Sequence, residues 1–281
     1  MKLQLETILG QPVKRLSALS GGCVGEVYRV WLENGNSVVA KVDQRRNAVL
    51  EIEGFMLQYL RDHSSLPVPA VMYSSPNVLI MEYIEGGSTF PMAAERHAAE
   101  LLAALHTVKA EQFGLEQDTL IGGLHQPNSW TASWIEFFRD QRLLFMGREA
   151  LQSGQLPRTV FSRLEKFAER LDEWIEEPDH PSLIHGDVWT TNVLSHQGRI
   201  TGFIDPAIYY GHPEIELAFT TLFHTFGQAF FTRYQELKPI KPGFFEIRRD
   251  LYNLYPLLVH VRLFGGGYVG SVSGILSRIG F

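Results

Sequence analysis

Residues 183–194 read Leu-Ile-His-Gly-Asp-Val-Trp-Thr-Thr-Asn-Val-Leu, and residues 202–206 read Gly-Phe-Ile-Asp-Pro. The first stretch places a carboxylate, Asp187, five residues before an amide side chain, Asn192. The second stretch ends an apolar run with another carboxylate, Asp205. Oxygen atoms of this kind are the ligands that Mg²⁺ prefers, and a carboxylate can accept the proton of an attacking hydroxyl group. The spacing therefore predicts a site for the transfer of a phosphoryl group.

The order His185, Asp187, Asn192 matches the catalytic loop of kinases, in which the aspartate accepts the hydroxyl proton and the asparagine helps to hold Mg²⁺. We interpret Asp187 as the catalytic base, and Asn192 and Asp205 as the metal ligands. His185 is predicted to brace the loop through hydrogen bonds, because Asp187 already fills the role of base. Trp189 is either a platform for a sugar or other amphipathic acceptor, or a core residue.

A glycine-rich segment near the N-terminus contains Gly21, Gly22, Cys23, Val24 and Gly25. Glycines allow backbone N–H groups to approach phosphate oxygens without interference from a Cβ atom. The segment therefore predicts a nucleotide-phosphate loop, and the alternative is a hairpin turn. Because Cys23 lies in this segment near a lysine, a reactive thiol with a redox effect is a further hypothesis, which Cys23→Ser would test.

Residues 38–41, Val-Val-Ala-Lys, lie on the next predicted strand. They match a signal in which the lysine contacts the α- and β-phosphates of the nucleotide. Apolar neighbours on both sides indicate that Lys41 points inward, so it needs a negative partner. Glu53 on the following predicted helix is favoured over Glu51, because it lies beside the apolar face of that helix.

The chain divides into two regions of different periodicity, which predicts an α+β fold with two lobes. Residues 1–86 contain short strands at 15–19, 27–32, 38–42 and 78–84 and one helix at 48–60, and form the predicted nucleotide-binding lobe. Residues 87–281 show helical spacing at 98–105, 130–144 and 160–175, and form the predicted catalytic and acceptor-binding lobe, larger and rich in α-helix. An aromatic run with helical spacing is predicted to be core: Phe219, Phe223, Phe226, Phe230 and Tyr234.

Composition excludes several classes of protein. The formal net charge of -6 over 281 residues disfavours a nucleic-acid partner. No signal-peptide core and no run of 18 or more apolar residues is present, so we expect a cytoplasmic protein without a membrane partner. A single cysteine excludes an intrachain disulfide and a cysteine-rich zinc site. Composition leaves the oligomeric state open.

Several further segments make the chain similar to the fructosamine/ketosamine kinase family, which is related to aminoglycoside phosphotransferases and, more distantly, to protein kinases. Trp189 in the loop, the Asp-Pro-Ala at 205–207 and the Phe-Gly-Gly-Gly-Tyr at 264–268 are the more particular features. The likeness runs nearly end to end. It also includes residues 20–23, residues 121–123, Gln126, Asn128, residues 134–138, Arg142, Leu143 and residues 210–218.

This resemblance implies a bilobal protein-kinase-like fold with ATP and Mg²⁺ between the lobes. It implies that Lys41 and Glu53 clamp the phosphates, and that Glu82, Tyr83 and Ile84 supply backbone contacts to adenine. The implied reaction is phosphorylation of a sugar hydroxyl, at the third carbon, on a small-molecule glycated amine. Phosphorylation there destabilises the adduct and permits deglycation.

The chain departs from the family pattern at two points. Thr190 and Thr191 occupy a stretch where many relatives carry a glycine just before the asparagine, which implies a different acceptor-side geometry. Asp-Pro-Ala replaces the Asp-Phe-Gly of protein kinases, and no Ala-Pro-Glu segment follows, which disfavours protein substrates.

Two alternatives to a ketosamine kinase stay open. One is a kinase for another hydroxylated metabolite or an aminoglycoside, which an acidic acceptor pocket would favour; Glu214 and Glu216 leave this undecided. The other is a catalytically silent nucleotide-binding module. The silent module is disfavoured, because the lysine, the base and both metal ligands are all retained.

Overall fold

The computed structural model describes residues 1–19 and 25–281. Gly21, Gly22, Cys23 and Val24 lie outside the described residues, so the phosphate loop and the redox hypothesis stay predictions. Gly25 is described, and it has a left-handed backbone with φ of 71°. A side chain at Gly25 would collide with the carbonyl oxygen of Val42 on a neighbouring strand, so this position requires glycine.

The N-terminal part combines a five-stranded antiparallel sheet with two helices. The elements in chain order are α1 Lys2–Leu9, β1 Val13–Ala18, β2 Glu26–Leu32, β3 Ser37–Val42, α2 Leu50–His63, β4 Val71–Ser74 and β5 Val78–Glu82. The strand order in the sheet is β1-β2-β3-β5-β4. Helix α1 contacts β1, and α2 contacts β4 and β5.

Alternation along the central strand β3 sends its side chains into two different cores. Val38 and Ala40 pack in a small cluster with Leu5 of α1, whereas Val39 joins the main core with Leu57 of α2. Lys41 shares the strand face of Val39, because the two residues are two positions apart. The sheet therefore directs Lys41 towards α2.

The segment after β5 is attached to a hairpin of the C-terminal part. Gly87 exchanges two backbone hydrogen bonds with Ser195, at 2.8 and 2.9 Å, and the Thr201 hydroxyl donates to the carbonyl oxygen of Glu85 at 2.9 Å. The predicted strand 78–84 ends two residues early, at Glu82. The predicted lobe boundary after residue 86 falls within this segment and stays a prediction.

The C-terminal part is mainly helical and contains three two-stranded pairs. The elements are α3 Met92–Leu105, β6 Thr119–Ile121, β7 Leu124–Gln126, α4 Trp134–Phe137, α5 Phe145–Gln152, α6 Arg158–Ala168, β8 Ser182–Ile184, β9 Val193–His196, β10 Arg199–Phe203, β11 Tyr209–Gly211, α7 Pro213–Leu222, α8 Gln228–Leu237, α9 Arg249–Phe264 and α10 Gly267–Arg278. The strand pairs are β6-β7, β8-β11 and β9-β10. Helix α3 packs along α8, and α9 packs against α5, α7 and α10.

Short irregular helices separate or extend these elements. Phe138–Leu144 and Phe244–Arg248 are π-helical, and Leu171–Glu173 and Thr190–Asn192 are 3₁₀ turns. Within residues 1–19 and 25–281, none of the helices combines the length and apolarity needed to span a membrane. The antiparallel N-terminal sheet and the helical C-terminal part confirm the predicted α+β class.

Two predicted helices and the predicted aromatic core differ in detail from the structure. The predicted helix 130–144 is short α-helix followed by π-helix, and the predicted helix 160–175 stops at Ala168. The aromatic run is divided between α7 and α8, with Phe223 and Phe226 in the break. Phe219, Phe226, Phe230 and Tyr234 are buried as predicted, whereas Phe223 is only half-buried and was wrongly placed in the core.

Candidate active site

One cleft between the sheet and the helical part gathers six of the ten predicted site residues that the structure describes. Lys41 and Glu53 reach it from the N-terminal part, and Asp187, Asn192 and Asp205 reach it from the C-terminal part. The remaining lining is largely apolar or small: Val49, Leu50, Met56, Leu120, Gly122, Gly123, Trp189, Thr191 and Pro206. Residues that are up to 164 positions apart in sequence are therefore brought to one place.

Lys41 is buried and paired with two carboxylates. Its Nζ donates to Glu53 Oε1 at 2.6 Å and to Asp205 Oδ1 at 2.5 Å, whereas Glu51 is exposed. Burial lowers the pKa of Lys41, but the charges of Asp205 and Glu53 raise it more, so the pKa lies above its ordinary value. The ammonium group stays charged in the cleft, where an anionic ligand would meet it.

The conformation of the catalytic loop is held by a left-handed glycine and by backbone hydrogen bonds. Gly186 has φ of 83°, and a side chain there would collide with the carbonyl oxygen of Ala207. The Ala207 amide donates to the carbonyl oxygen of His185 at 2.8 Å, and the Asp187 amide donates to His185 Nδ1 at 3.3 Å. Burial lowers the pKa of His185 to about 4, so its ring is neutral. This geometry suits a bracing role for His185.

The Asp187 carboxylate and the Asn192 amide contact each other. Asn192 Nδ2 donates to Asp187 Oδ2 at 2.8 Å and to the Asp187 carbonyl oxygen at 3.0 Å. Burial and the charge of Asp205 raise the pKa of Asp187 to about 8, although the hydrogen bond from Asn192 lowers it. A carboxylate with a raised pKa holds a transferred proton more firmly than an ordinary aspartate does.

Asp205 has an uncommon backbone conformation for a residue other than glycine, with φ of 54°. The Ile204 amide donates to the Asn192 carbonyl oxygen at 2.9 Å, which joins the end of β10 to the start of β9. Strained backbone of this kind persists at functional sites when the surrounding structure holds it in place. The two candidate metal ligands are therefore held side by side by the strand pair that connects them.

The donor atoms fit Mg²⁺ better than a softer metal. Asn192 Oδ1 and the Asp205 carboxylate are hard oxygen donors, and Asn192 Nδ2 is already used by Asp187. No cluster of three or more His, Cys, Asp or Glu side chains arranged for a metal occurs in the part of the chain that the structure describes. Mg²⁺ typically takes one or two protein ligands and completes its shell with water and phosphate oxygens, so two protein donors suffice.

The predicted adenine-binding residues lie at the end of β5 and just after it and do not line this cleft, nor does Gly25. Glu82 donates its amide to the Ala70 carbonyl oxygen at 2.9 Å, and the Arg29 guanidinium lies 3.7 Å from the Tyr83 ring centre. The backbone amide and carbonyl of Ile84 have no hydrogen-bond partner among residues 1–19 and 25–281. Such groups can still bind a ligand edge.

Trp189 starts a continuous row of rings that the sequence interpretation missed. Its ring lies 5.4 Å from Phe223, Phe223 lies 5.0 Å from His260, and His260 lies 4.9 Å from Tyr268. We name these four residues the aromatic wall. His260 Nδ1 donates to the Pro256 carbonyl oxygen at 2.7 Å, which leaves Nε2 as a hydrogen-bond acceptor. The Phe-Gly-Gly-Gly-Tyr motif was the signal that could have revealed the wall.

Glu214 and Glu216 do not form an acidic acceptor pocket. Glu214 pairs with Arg248 through two contacts of 2.6 and 2.7 Å, and Glu216 is bonded to Gly186 and His106. Both glutamates are buried and neither lines the cleft. These two residues therefore provide no acidic acceptor pocket, which is the feature that would have favoured an aminoglycoside acceptor.

Comparison with known proteins gives matches over nearly the whole chain. The sequence model described as fructosamine kinase matches residues 1–280. A probable ketoamine kinase of Synechocystis is 31% identical over 286 residues, covering 98% of this chain and 94% of the relative. A chloroplastic protein-ribulosamine 3-kinase of Oryza sativa subsp. indica is 33% identical over 269 residues, covering 93% of this chain and 77% of the relative.

Solved structures are similar over the same length. A Thermobifida fusca protein assigned as a fructosamine-3-kinase superposes with a TM-score of 0.86 and 32% identity, covering 99% of this chain and 98% of the other. An aminoglycoside phosphotransferase superposes with a TM-score of 0.69 and 20% identity, covering 99% of this chain and 98% of the other. The second likeness shows the fold, which is that of the kinase-like phosphotransferases.

Proposed function

This chain belongs to the fructosamine kinase family, and from that premise we propose that it transfers the γ-phosphoryl group of ATP to a sugar hydroxyl of a ketosamine. The observation that carries the proposal is the meeting of Lys41, Asp187, Asn192 and Asp205 in one cleft. A cation for phosphates, a base and two oxygen donors for Mg²⁺ are the parts that phosphoryl transfer requires. Two of the relatives compared above are a probable ketoamine kinase and a protein-ribulosamine 3-kinase.

The nucleotide side of the site uses the N-terminal part. Lys41, held by Glu53, contacts the α- and β-phosphates, and the backbone amides of residues 21–25 cover them. The adenine edge pairs with backbone groups of residues 82–84, where Ile84 has an amide and a carbonyl available. Residues 1–86 then form the nucleotide-binding lobe, and residues 87–281 form the catalytic and acceptor-binding lobe.

The transfer step uses the catalytic loop. The acceptor oxygen forms a bond to the γ-phosphorus while the bond from that phosphorus to the β,γ-bridging oxygen breaks, and ADP leaves. The hydroxyl proton passes to the carboxylate of Asp187, which Asn192 holds at 2.8 Å. Asn192 and Asp205 would hold Mg²⁺, which when bound would neutralise part of the phosphate charge.

The acceptor side uses the aromatic wall. Trp189 lies both in the cleft lining and at one end of the wall, so the wall leads away from Asp187. Aromatic faces bind the C–H faces of sugars and attract cations, and a ketosamine carries a sugar and a protonated amine. Phosphorylation at the third carbon of the sugar would destabilise the adduct and release the amine.

The test is consumption of Mg-ATP by the purified protein with a panel of acceptors. The panel contains fructosyl-lysine, ribulosyl-lysine, free sugars, choline-like alcohols and an aminoglycoside. We expect turnover with the ketosamines only, and its loss in Asp187→Asn. Turnover confined to another acceptor would discard the deglycation role, and Mg-ATP binding without turnover of any acceptor would identify a silent module.

A further inference from the structure

One face of the N-terminal sheet carries a second cation besides Lys41. Arg29 of β2 pairs with Val39 of β3, and Val39 pairs with Met81 of β5. Residues paired in this way project from the same face of a sheet, so Arg29 lies on the face of Lys41. Two residues along β3 separate Lys41 from Val39, which corresponds to about 7 Å. Arg29 therefore lies one row away from the lysine proposed to bind phosphates, towards the end of β5.

Arg29 contacts two aromatic rings. Its guanidinium carbon is 3.7 Å from the ring centre of Tyr83, which follows β5. The same carbon is 4.7 Å from the ring centre of Trp31 on its own strand. Both distances are within the range of about 6 Å over which a cation is attracted to an aromatic face. The contact with Tyr83 joins the sheet to the segment that leaves it.

Hydrogen bonding does not account for the placement of Arg29. Its Nη2 donates to Ser37 Oγ at 3.4 Å, which is long for a hydrogen bond. Its Nε is buried and has no hydrogen-bond partner among residues 1–19 and 25–281. A buried donor without a partner costs free energy. The two ring contacts are therefore the interactions that hold this guanidinium group in place.

The segment after β5 is held from its other side by the C-terminal part. Ile84 packs closely against Gly202 of β10, since a side chain at Gly202 would come within 2.5 Å of Ile84 Cδ1. Arg29 supplies the corresponding contact from the sheet, through Tyr83. The residues whose backbone groups are proposed to bind the adenine edge are therefore contacted by both parts of the molecule.

We propose that Arg29 is a positioning residue for the adenine end of the nucleotide, because its stacking on Tyr83 fixes the segment in which the amide and carbonyl of Ile84 meet the base. The inference rests on the proposed function, in which the chain binds ATP. Backbone groups bind a base edge only at hydrogen-bond distance and angle, so loss of the stack would weaken the adenine contacts. The phosphate contacts of Lys41 would be retained, because two carboxylates hold Lys41 independently of Arg29.

Arg15 provides a matched control on the same ring. Its guanidinium carbon approaches Trp31 from β1, also at 4.7 Å from the ring centre, and the residue is exposed. Arg15→Met and Arg29→Met each remove one arginine from Trp31, and Arg29→Met also removes the contact with Tyr83. A loss caused by the missing charge would appear in both variants, whereas a loss of positioning belongs to Arg29→Met.

The experiment tests the two ends of the nucleotide separately. Dissociation constants are measured for Mg-ATP by calorimetry, and for adenosine and Mg-tripolyphosphate by competition with Mg-ATP. In Arg29→Met we expect the constants for Mg-ATP and adenosine to rise about 10-fold, and the constant for tripolyphosphate to stay within about 2-fold. In Arg15→Met all three constants should stay within about 2-fold of wild type. Equal losses for adenosine and tripolyphosphate in Arg29→Met, or an unchanged adenosine constant, would overturn the proposal.

Two further variants separate stacking from charge. Arg29→Lys keeps the charge but loses the planar guanidinium group, so we expect an adenosine constant close to that of Arg29→Met. Tyr83→Leu removes the ring and keeps the backbone, and adding Arg29→Met to it should change the adenosine constant by less than about 2-fold. Wild-type affinity in Arg29→Lys, or independent losses in the double variant, would overturn the stacking role. If Arg29→Met does not fold, Tyr83→Leu tests the same contact from its other side.

Steady-state kinetics add a measurement that depends on the proposed transfer step. Arg29→Met should raise the KM for ATP about 10-fold and leave kcat at saturating ATP within about 3-fold of wild type, because Asp187 is not affected. A lower kcat with an unchanged KM for ATP would overturn the inference. If the wild type phosphorylates no acceptor, the proposed transfer fails, while the binding constants still decide the role of Arg29. A wild type that binds neither Mg-ATP nor adenosine would overturn the inference itself.

Discussion

Asp187 is the residue whose replacement separates chemistry from nucleotide binding. Asp187→Asn keeps the shape of the side chain and removes the proton acceptor. We expect kcat to fall by about 10²–10⁴-fold, because that is the usual contribution of a positioned base. The dissociation constant for Mg-ATP, measured by calorimetry, should change little. A variant with near wild-type turnover would show that Asp187 is not the base.

Glu53 and Glu51 form a matched pair on α2, since one binds Lys41 in the cleft and the other is exposed. Glu53→Gln removes one of the two carboxylates that hold Lys41, so we expect the KM for ATP to rise about 10-fold. Glu51→Gln should leave the KM for ATP unchanged. Steady-state kinetics at varied ATP checks both, and equal effects would contradict the proposed clamp.

At the scale of single residues, the sequence allowed prediction where a motif has fixed spacing. The spacing of Asp187, Asn192 and Asp205 pointed to one site, and the structure brings these residues together in one cleft. The sequence could not reveal the hydrogen bond between Glu216 and the Gly186 amide. No local sequence pattern indicates that a side chain will bond a backbone group far along the chain. Long-range pairs of that kind depend on tertiary packing.

The break between α7 and α8 gives the aromatic wall its second ring, Phe223. We expect Tyr268→Ala, at the far end of the wall, to raise the KM for the ketosamine about 3–10-fold through loss of ring contacts. The KM for ATP should not change. Phe245→Ala removes an exposed ring outside the wall and serves as the control. An unchanged ketosamine KM in Tyr268→Ala would remove the wall from the acceptor site.

The π-helical segment Phe138–Leu144 carries a fully buried arginine. Arg142 donates to the Pro127 carbonyl oxygen and to Asn128 Oδ1, each at 2.6 Å. Arg142→Met leaves these buried acceptors unpaired, so we expect about 3 kcal/mol less free energy of unfolding in urea titrations. The neighbouring Arg139 pairs with Asp140 at the surface, and Arg139→Met should cost less than about 1 kcal/mol.

Element boundaries were predicted less well than element types. The helical period near residues 130–144 was detected, but periodicity alone does not distinguish α-helix from the π-helix found there. The widened turn accompanies the burial of Arg142, whose partners come from a loop 14 and 15 positions earlier. Because these partners are distant in sequence, no regular pattern around Arg142 indicates the π-helical turn.

The cleft joins the sheet to the helical part, so a ligand there should stabilise the whole molecule. At an Mg-ATP concentration of about 100 times the dissociation constant, we expect about 2.7 kcal/mol of added stability. Thermal melting with and without Mg-ATP measures this as a rise in melting temperature. Asp205→Asn removes a proposed metal ligand and should show a smaller rise. Equal rises in both proteins would contradict that role.

At the scale of the whole molecule, the change of periodicity near residue 86 was enough to predict an N-terminal sheet and a C-terminal helical part. The three small strand pairs of the helical part were mostly missed, because strands of three residues, such as β8 and β11, are too short to show alternation. Two of these pairs nevertheless flank the loop that carries Asp187, because β8 ends just before it and β9 begins just after it.

The β9-β10 hairpin connects the two candidate metal ligands, and its pairing has a consequence for how the chain can vary in length. Val193, which follows Asn192, pairs with Phe203, two residues before Asp205. In an antiparallel pair the first and last residues stay adjacent however many residues lie between them. Extra residues inserted at the exposed turn, at 197–198, would therefore lengthen the hairpin without separating Asn192 from Asp205. Natural or engineered insertions should be tolerated at that turn, whereas a one-residue insertion at the open end, beside Asn192 or Asp205, would shift the register and separate the two ligands.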